Sequence, residues 1–206
     1  MTSNSVMNGS TRLHVLHVTP CYAPAWAYGR VPQAVAALAR AQTARGHSVT
    51  VLTSDAVAPH EREAAGERVE DGIRVIRFRN ASGLLRWWLN LSTPVGLAAI
   101  VRALLAREAV DVLHLHELHT VENRIVLRVV NDSAAVVASA YETSASVRGA
   151  RNPRAWGAAL RARHLARIDR YVDGFVSEAE AIDRIYREAR ERRARSPRTI
   201  SPPRTT

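Results

Sequence analysis

The stretch that decides the fold is LHVLHVT at residues 13–19, an apolar run that predicts a buried strand ended by Pro20. Residues 31–45 follow with apolar side chains every three or four positions, with Pro32 in the first turn and Gly46 after the last, which predicts a helix. A second strand, HSVTVLT, is predicted at residues 47–53. A strand, a helix and a strand with short connections form a βαβ unit, so we expect two parallel strands joined by a right-handed crossover.

The same alternation continues to about residue 186. Further strands are predicted at residues 73–78, 111–116, 134–140 and 174–176, and the helices between and after them are predicted to begin at the Thr93-Pro94 pair, at residue 119, at residue 153 and after Ser177. This pattern predicts an α/β fold: a single Rossmann-like, doubly wound and mainly parallel sheet with helices on both faces. We expect a disordered leader at residues 1–11, one domain at 12–186, and a basic, Pro- and Ser-rich disordered tail at 187–206.

The composition excludes several classes of protein. The chain has 206 residues, of which 47% are hydrophobic and 23% charged, as in ordinary globular proteins. Its longest apolar runs are far shorter than the roughly 20 residues that span a bilayer. The single cysteine, Cys21, excludes an internal disulfide framework, and residues 1–11 lack the apolar core of a secretion signal. We therefore predict a cytoplasmic protein.

The positive charge is concentrated near the C-terminus. The formal net charge is +10, and every one of the 29 basic residues is Arg. Residues 1–145 hold 14 Arg and 12 acidic residues, whereas residues 146–206 hold 15 Arg and 7 acidic residues. A basic tail attracts phosphates or anionic lipids without specificity. We expect no specific nucleic-acid partner.

Polar residues that follow the predicted strands are the candidate site, because ligands of open parallel sheets bind at the carboxyl ends of the strands. After the first strand, Gly29 and Arg30 come just before a helix, where a glycine lets a phosphate or a sugar approach the backbone amides. The alternative is a tight turn at Gly29 with a solvated Arg30. The pattern is neither a dinucleotide fingerprint nor a Walker loop.

The fourth predicted strand ends in His114, His116 and Glu117. Two histidines two positions apart lie on one face of a strand, which is compatible with a metal site. His119 is close, but no third ligand has suitable spacing, and three or four ligands are normally required. We predict no metal and favour contact between a polar substrate and His116 or Glu117.

An apolar cluster with one charge, Arg86, surrounds Trp87 and Trp88. Such a segment is compatible with an acceptor-binding or membrane-surface role. We favour a place in the core, because large aromatic side chains are usually buried.

Five segments resemble the motifs of a known family. They are LHVTP at 16–20 with Pro24 after it, ARGHSVTVLT at 44–53, DGIRV at 71–75, DVLHLHE at 111–117 and VDGFVSEAE at 172–180. In this order the chain resembles the N-terminal domain of the family-four (group 1) glycosyltransferases of the GT-B fold, over about residues 12–185.

The resemblance implies a transferase that moves a sugar from a nucleotide-sugar to an acceptor, with no metal and no cofactor besides the nucleotide-sugar substrate. In such enzymes the N-terminal domain mostly holds the acceptor, and a second Rossmann-like domain, absent from this sequence, holds the donor. The family often has a catalytic His after the fifth strand, where this chain has Tyr141 followed by Glu142.

The main hypothesis is therefore the acceptor-side half of a glycosyltransferase that is inactive alone, either truncated or part of a split enzyme. Gly29 and Arg30 are expected to face the donor phosphates, His116, Glu117 and Glu142 to line the acceptor side, and Tyr141 to stand at the catalytic position. The expected partners are a C-terminal glycosyltransferase domain or subunit, a sugar or lipid-linked acceptor, and peripherally the inner face of the cell membrane.

The alternative hypothesis is a non-catalytic binding module whose basic tail contacts nucleic acid or anionic membrane. Under the main hypothesis, residues 186–195 are expected to fray or to extend from the body as a charged helix, because little of the domain is left for them to pack on.

Overall fold

The structure is a computed structural model that describes residues 12–89, 91–117, 120–130, 134–139, 174–176 and 182–196. The strands are β1 (His14–Val18), β2 (Ser48–Ser54), β3 (Gly66–Glu70), β4 (Ile73–Phe78), β5 (Val112–His116), β6 (Ala135–Ser139) and β7 (Gly174–Val176). The helices are α1 (Arg30–Ala44), α2 (Gly83–Leu89), α3 (Leu97–Arg107), α4 (Val121–Val129) and α5 (Ile182–Arg195), and a short 3-10 turn lies at Trp26–Tyr28.

The strands form one sheet in the order β3-β4-β2-β1-β5-β6-β7. Every neighbouring pair is parallel except β3 with β4. The chain therefore starts in the middle of the sheet, proceeds outward to one edge, and returns to β5 beside β1 to build the other half. This arrangement confirms the predicted Rossmann-like, doubly wound and mainly parallel sheet.

The antiparallel edge strand β3 was not predicted from the sequence. Its first four residues are exposed, so it has no alternation of buried apolar side chains to reveal it. Asp71 and Gly72 both have positive φ, 50° and 75°, as a two-residue hairpin turn between β3 and β4 requires. The Asp-Gly pair was therefore the readable signal for this strand.

Alternate residues of the central strands face two different layers of helices. Leu16, Leu113 and Val136 pack on one face with side chains of α3 and α4. On the other face, Val15, Val112 and Val137 pack with α5, and the neighbouring strands pack with α1. Because the side-chain period of a strand is two, His17, His114 and His116 belong to the face covered by α1 and α5.

The C-terminal helix continues to Arg195 and is docked on the sheet, so the prediction of a disordered tail from residue 187 is wrong for residues 187–195. Tyr186 and Ala189 are buried, and Arg190 forms an ion pair of 3.0 Å with Asp111 at the start of β5. The expectation that residues 186–195 fray or project from the body failed because α5 buries one stripe of small and aromatic side chains despite its many charges.

Two local predictions between β4 and α3 were also wrong. Trp87 and Trp88 are 45% and 73% exposed, so they are not core residues. Helix α3 starts at Leu97 after Gly96 and not at the Thr93-Pro94 pair. The backbone N–H and hydroxyl of Thr93 instead donate to Oδ1 of Asn80, at 2.6 and 2.9 Å. In the described residues, no helix has the length and apolar character to cross a bilayer.

Candidate functional site

The carboxyl ends of β1 and β5 meet at the point where the strand order reverses. Such a switch point opens a crevice in doubly wound sheets and is where they bind ligands. His17 lies one residue before the end of β1, and His116 is the last residue of β5. The predicted site residues His116 and Glu117 are therefore at the expected edge of the sheet.

Three histidines lie against one another at this switch point. His17 pairs in register with His114, and His116 follows two residues later on the same face. All three side chains are fully buried. The ring centroids are 5.2 Å apart for His17 and His114, 5.1 Å for His17 and His116, and 4.1 Å for His114 and His116.

Hydrogen bonds connect this histidine cluster to α1 and α5. Nδ1 of His17 lies 2.8 Å from Nε2 of His116, and Nε2 of His17 lies 2.7 Å from Oε1 of Gln42 on α1. The amide nitrogen of Gln42 donates to the hydroxyl of Tyr186 on α5, at 3.0 Å. Because the Gln42 oxygen can only accept, Nε2 of His17 donates, and Nδ1 of a neutral His17 accepts from Nε2–H of His116.

The chain of hydrogen bonds continues from Tyr186 to β6. The Tyr186 hydroxyl lies 2.6 Å from Nδ1 of His114, and Nε2 of His114 lies 2.7 Å from Oγ of Ser139. We assign the Tyr186 hydrogen to Nδ1 of His114, so that Nε2–H of His114 donates to Ser139. Each of the three imidazoles thus holds one proton, on Nε2, and the whole chain runs in one direction from His116 to Ser139.

Burial keeps all three imidazoles neutral at physiological pH. It lowers the pKa of His17 to about 4, although the hydrogen bond with Gln42 opposes the change. Burial also lowers the pKa of His114 and His116 well below the ordinary value, with the neighbouring histidines acting in the same direction. The network can therefore orient groups by hydrogen bonding, but it holds no imidazolium at pH 7.

The same three histidines are the candidate metal ligands. Their nearest ligand atoms all lie within 4.8 Å of one another, so the structure supplies, in His17, the third ligand that the sequence did not reveal. Metal–nitrogen bonds of about 2.0–2.1 Å place two ligands of a tetrahedral ion about 3.3 Å apart. The 2.8 Å between His17 and His116 is shorter and fits a hydrogen bond. His119 lies outside the described residues.

Arg86 and Glu117 form an ion pair beside the histidine cluster. Nη2 of Arg86 donates to Oε2 of Glu117 at 3.0 Å, and the side chain of Arg86 is only 4% exposed. The guanidinium lies 5.8 Å from the ring centroid of Tyr28, in the loop after β1. Glu117 has a φ of 55°, a left-handed backbone conformation that is uncommon for residues other than glycine and is often found at functional sites.

The first turn of α4 packs against the turn that follows β5. The side-chain amide of Asn123 donates to the backbone oxygens of His116 and Glu117, at 3.0 and 3.1 Å, and so fixes the turn that follows β5. The preceding residue, Glu122, is fully buried. Burial raises the pKa of its carboxyl, with Ser92 and Arg86 opposing the change.

Gly29 and Arg30 lie at the N-terminus of α1, as predicted from the sequence. Gly29 has φ 96° and ψ −147°, a conformation that is essentially restricted to glycine. No side chain caps the helix, no acidic residue lies in its first turn, and Arg30 is exposed. This helix end therefore presents free backbone N–H groups and a positive dipole end.

The structure brings only some of the predicted site residues together. Glu117 reaches the loop that holds Gly29 through Arg86 and Tyr28, whereas Tyr141 and Glu142 lie outside the described residues. Sequence reasoning missed the contributions of His17, Gln42, Arg86, Glu122 and Tyr186. A signal existed for two of them: Arg86 is the one charge of an apolar segment, and Glu122 lies four residues before Val126 on the buried stripe of α4.

A separate groove lies at the opposite edge of the sheet, at the amino ends of the strands. Its volume is about 680 Å³, and its lining includes His14, Arg74 and Glu108. Arg74 pairs with both Glu67 and Glu108, so its charge is already neutralised by the protein. Ligands of doubly wound sheets bind at the other edge, and we do not place the site here.

Comparison with known proteins identifies a family. The sequence matches the family described as "Glycosyl transferase 4-like domain" over residues 29–199, which is more than half of the chain. The match confirms the resemblance found in the sequence. No curated protein matches the chain.

Among solved structures, the chain is similar to the catalytic domain of starch synthase IV from Arabidopsis thaliana bound to ADP and acarbose, at 17% identity and a TM-score of 0.44. The similarity covers 64% of this chain and 34% of that one, so the matched region spans about a third of the starch synthase chain. A similarity of this strength carries no conclusion about the ligands of this chain.

The buried histidines make stability depend on pH. The unfolded chain binds a proton at His17 more tightly than the folded one, so the stabilisation is complete above pH 6.5 and is lost as pH falls toward 4. The difference between 6.5 and about 4 corresponds to about 3 kcal/mol. We expect the fall in unfolding free energy between pH 7 and 4, measured by urea denaturation, to be shallower by about that amount in His17→Gln. His60→Gln, which changes an exposed histidine, should leave the slope unchanged, and equal slopes in both variants would contradict the assignment.

Proposed function

We propose that this chain, which belongs to the glycosyl transferase 4-like family, supplies the acceptor-binding half of an enzyme that transfers a sugar from a nucleotide-sugar to an acceptor. The observation that carries the proposal is the family match over residues 29–199. The geometry supports it, because an uncapped helix N-terminus and a polar, partly open side chain, Glu117, lie at the carboxyl edge of a doubly wound sheet.

The donor phosphates are assigned to the N-terminus of α1. Pro32 has no N–H, and the amide of Gln33 makes the first intrahelical hydrogen bond to the Gly29 carbonyl, so the free donors of the first turn are the amides of Arg30 and Val31. These amides, the helix dipole and the guanidinium of Arg30 together provide positive potential for a diphosphate leaving group. They make a metal ion unnecessary on this side of the site, in line with the proposal that the enzyme requires none.

The acceptor is assigned to the end of β5. Glu117 is 23% exposed and is held by Arg86, so its carboxylate is fixed at the mouth of the crevice. His116 lies behind it and, with the rest of the histidine network, holds the end of the strand in place. We propose that Tyr141 and Glu142, which follow β6, act on the same side, with Tyr141 at the catalytic position.

The acceptor proposed is a sugar or a lipid-linked sugar, and an exposed apolar surface favours the lipid-linked form and contact with a membrane surface. Helix α2 exposes Leu84, Trp87 and Trp88 while its Arg86 points into the site. Tryptophan side chains suit the interface between lipid and water. We expect the chain to sediment with lipid vesicles and Trp88→Ser to reduce the bound fraction severalfold. Val69→Ser is the matched control, since Val69 is equally exposed, at 73%, on the edge strand β3. Equal loss in both variants, or no binding, would rule out this role of α2.

The 206-residue chain is proposed to be inactive alone, with a separate donor-binding domain or subunit as its partner. Transition-state stabilisation needs groups preorganised on both sides of the leaving diphosphate, and the residues assigned here supply one side. Incubation of the purified chain with a panel of nucleotide-sugars and of sugar and lipid-linked acceptors, with and without a chelator, should give no transfer above the uncatalysed rate. Transfer by the lone chain would contradict this part of the proposal, and transfer that stops on chelation would contradict metal independence.

Binding of a diphosphate tests the donor side directly. Alanine cannot adopt the backbone conformation of Gly29 without strain, so Gly29→Ala should shift the start of α1 and weaken binding of UDP, GDP or ADP about tenfold, or about 1.4 kcal/mol. Tryptophan fluorescence measures the titration. Gly46→Ala is the control, because Gly46 has a φ of 88° and lies in equally open space at the far edge of the sheet. The assignment fails if both variants lose affinity equally or if the unsubstituted chain binds none of the three nucleotides.

A further inference from the structure

Buried polar atoms without hydrogen bonds gather around Arg86. Among the described residues, seven such side-chain atoms belong to this neighbourhood: Oη of Tyr28, Nε and Nη1 of Arg86, Oγ of Ser92, Oε1 and Oε2 of Glu122, and Oδ1 of Asn123. We refer to these five residues together with Glu117 as the Arg86 cluster. They come from the loop after β1, from α2, from the segment before α3 and from the turn and helix after β5.

Direct contacts between side chains join three members of the Arg86 cluster. Arg86 contacts Glu117 through Nη2 and lies over the ring of Tyr28. Glu122 and Asn123 lie in the first turn of α4, shortly after Glu117 in the chain. Ser92 lies near enough to Glu122 for a weak hydrogen bond that opposes the rise in the pKa of the carboxyl, but its geometry is outside that of an ordinary hydrogen bond. The side-chain nitrogen of Asn123 donates to the backbone oxygen of Glu117, and the Oδ1 atom of Asn123 has no hydrogen-bond partner.

Such a group of atoms is unusual in a folded protein. A buried donor or acceptor without a partner costs about 1–3 kcal/mol, and native structures contain only a few such atoms per hundred residues. Seven in one neighbourhood indicate a place where a ligand or bound water completes the hydrogen bonds. Tyr28, which is half-buried, and Glu117, which is 23% exposed, form the side of the cluster nearest to solvent.

The donor and acceptor set selects the chemistry of the ligand. Arg86 offers three N–H donors on Nε and Nη1, Asn123 and Glu122 offer oxygens, and the hydroxyls of Tyr28 and Ser92 can both donate and accept. Arg86 and Glu117 neutralise each other, and the carboxyl of Glu122 lies beside them, so the cluster has no excess positive charge for a phosphate. A neutral hydroxyl both donates and accepts, and therefore matches this mixed set.

Aromatic rings complete the match. The rings of Tyr28 and Trp87 meet edge to face, with centroids 5.8 Å apart, next to the guanidinium. Flat apolar surfaces of this kind suit the C–H face of a sugar ring, while its hydroxyls reach polar side chains. We propose that the Arg86 cluster is a subsite for the neutral hydroxyl groups of the acceptor's sugar, an inference that rests on the proposed function.

A crystal structure of the full chain soaked in molar glycerol, as a small neutral polyol, tests the subsite. The expected result is a glycerol hydroxyl within hydrogen-bond distance of Nε or Nη1 of Arg86 and of an oxygen of Glu122. Water alone at these atoms, or glycerol bound only elsewhere, overturns the proposal. A parallel soak in inorganic phosphate should leave the Arg86–Glu117 pair intact, and phosphate bound to Arg86 in place of Glu117 overturns the choice of a neutral ligand.

Variants test the same subsite in solution. Saturation-transfer NMR with methyl glucoside should give a signal that Arg86→Met and Ser92→Ala each reduce at least about fivefold. Ser92→Ala removes one hydroxyl and keeps the subsite testable if Arg86→Met fails to fold. Ser82→Ala is the matched control, because the Ser82 hydroxyl caps the start of α2 through the Leu85 amide. Signals that persist in Ser92→Ala, or that fall equally in Ser82→Ala, overturn the proposal.

The outcomes separate this inference from the proposed function. A chain that binds nucleoside diphosphates at Gly29 but admits no glycerol keeps the transferase proposal and loses only the subsite. A chain that admits glycerol at Arg86 but binds no diphosphate keeps the subsite and loses the transferase proposal.

Discussion

The hydrogen bond between His17 and His116 joins the two strands at which the sheet reverses its order, and the rest of the site depends on it. Imidazoles buried this deeply need a partner for each nitrogen, since an unpaired one costs about 1–3 kcal/mol. Gln42 on α1 and Tyr186 on α5 supply partners from the helices that cover this face. The polar network thus fixes where two helices sit on the sheet, which apolar packing alone specifies less sharply.

This constraint produces two contrasting environments side by side. The histidine network is neutral, and its described hydrogen bonds follow one direction. The Arg86 cluster next to it holds an ion pair, a buried carboxyl and several polar atoms without partners. Asn123 connects the two, because it binds the backbone oxygens of both His116 and Glu117. A rigid neutral support behind an incompletely paired polar surface is the arrangement expected of a preorganised binding site.

Local pattern in the sequence predicted most of this fold. The alternation of apolar strands and amphipathic helices predicted every parallel strand that the structure describes, and the position of His116 and Glu117 at a strand end indicated the candidate site. The errors have different causes. The Asp-Gly turn that signals β3 is local and was overlooked, the docking of α5 depends on contacts with distant segments, and the exposure of Trp87 departs from the usual burial of aromatic side chains. The hydrogen bonds of the network join residues that are far apart in the chain, such as His17 with His116 and His114 with Tyr186. No spacing rule in the sequence predicts these pairs. Arg86 illustrates the same limit, since its role comes from Glu117 across the fold.

The ¹⁵N chemical shifts of the ring nitrogens at pH 7 report the protonation of the three buried histidines, and so test the hydrogen-bond network most directly. We expect three neutral imidazoles, each with its proton on Nε2, because the chain of hydrogen bonds is assigned from His116 through His17, Gln42, Tyr186 and His114 to Ser139. An imidazolium in this group, or a proton on Nδ1 of His17 or His114, would contradict it.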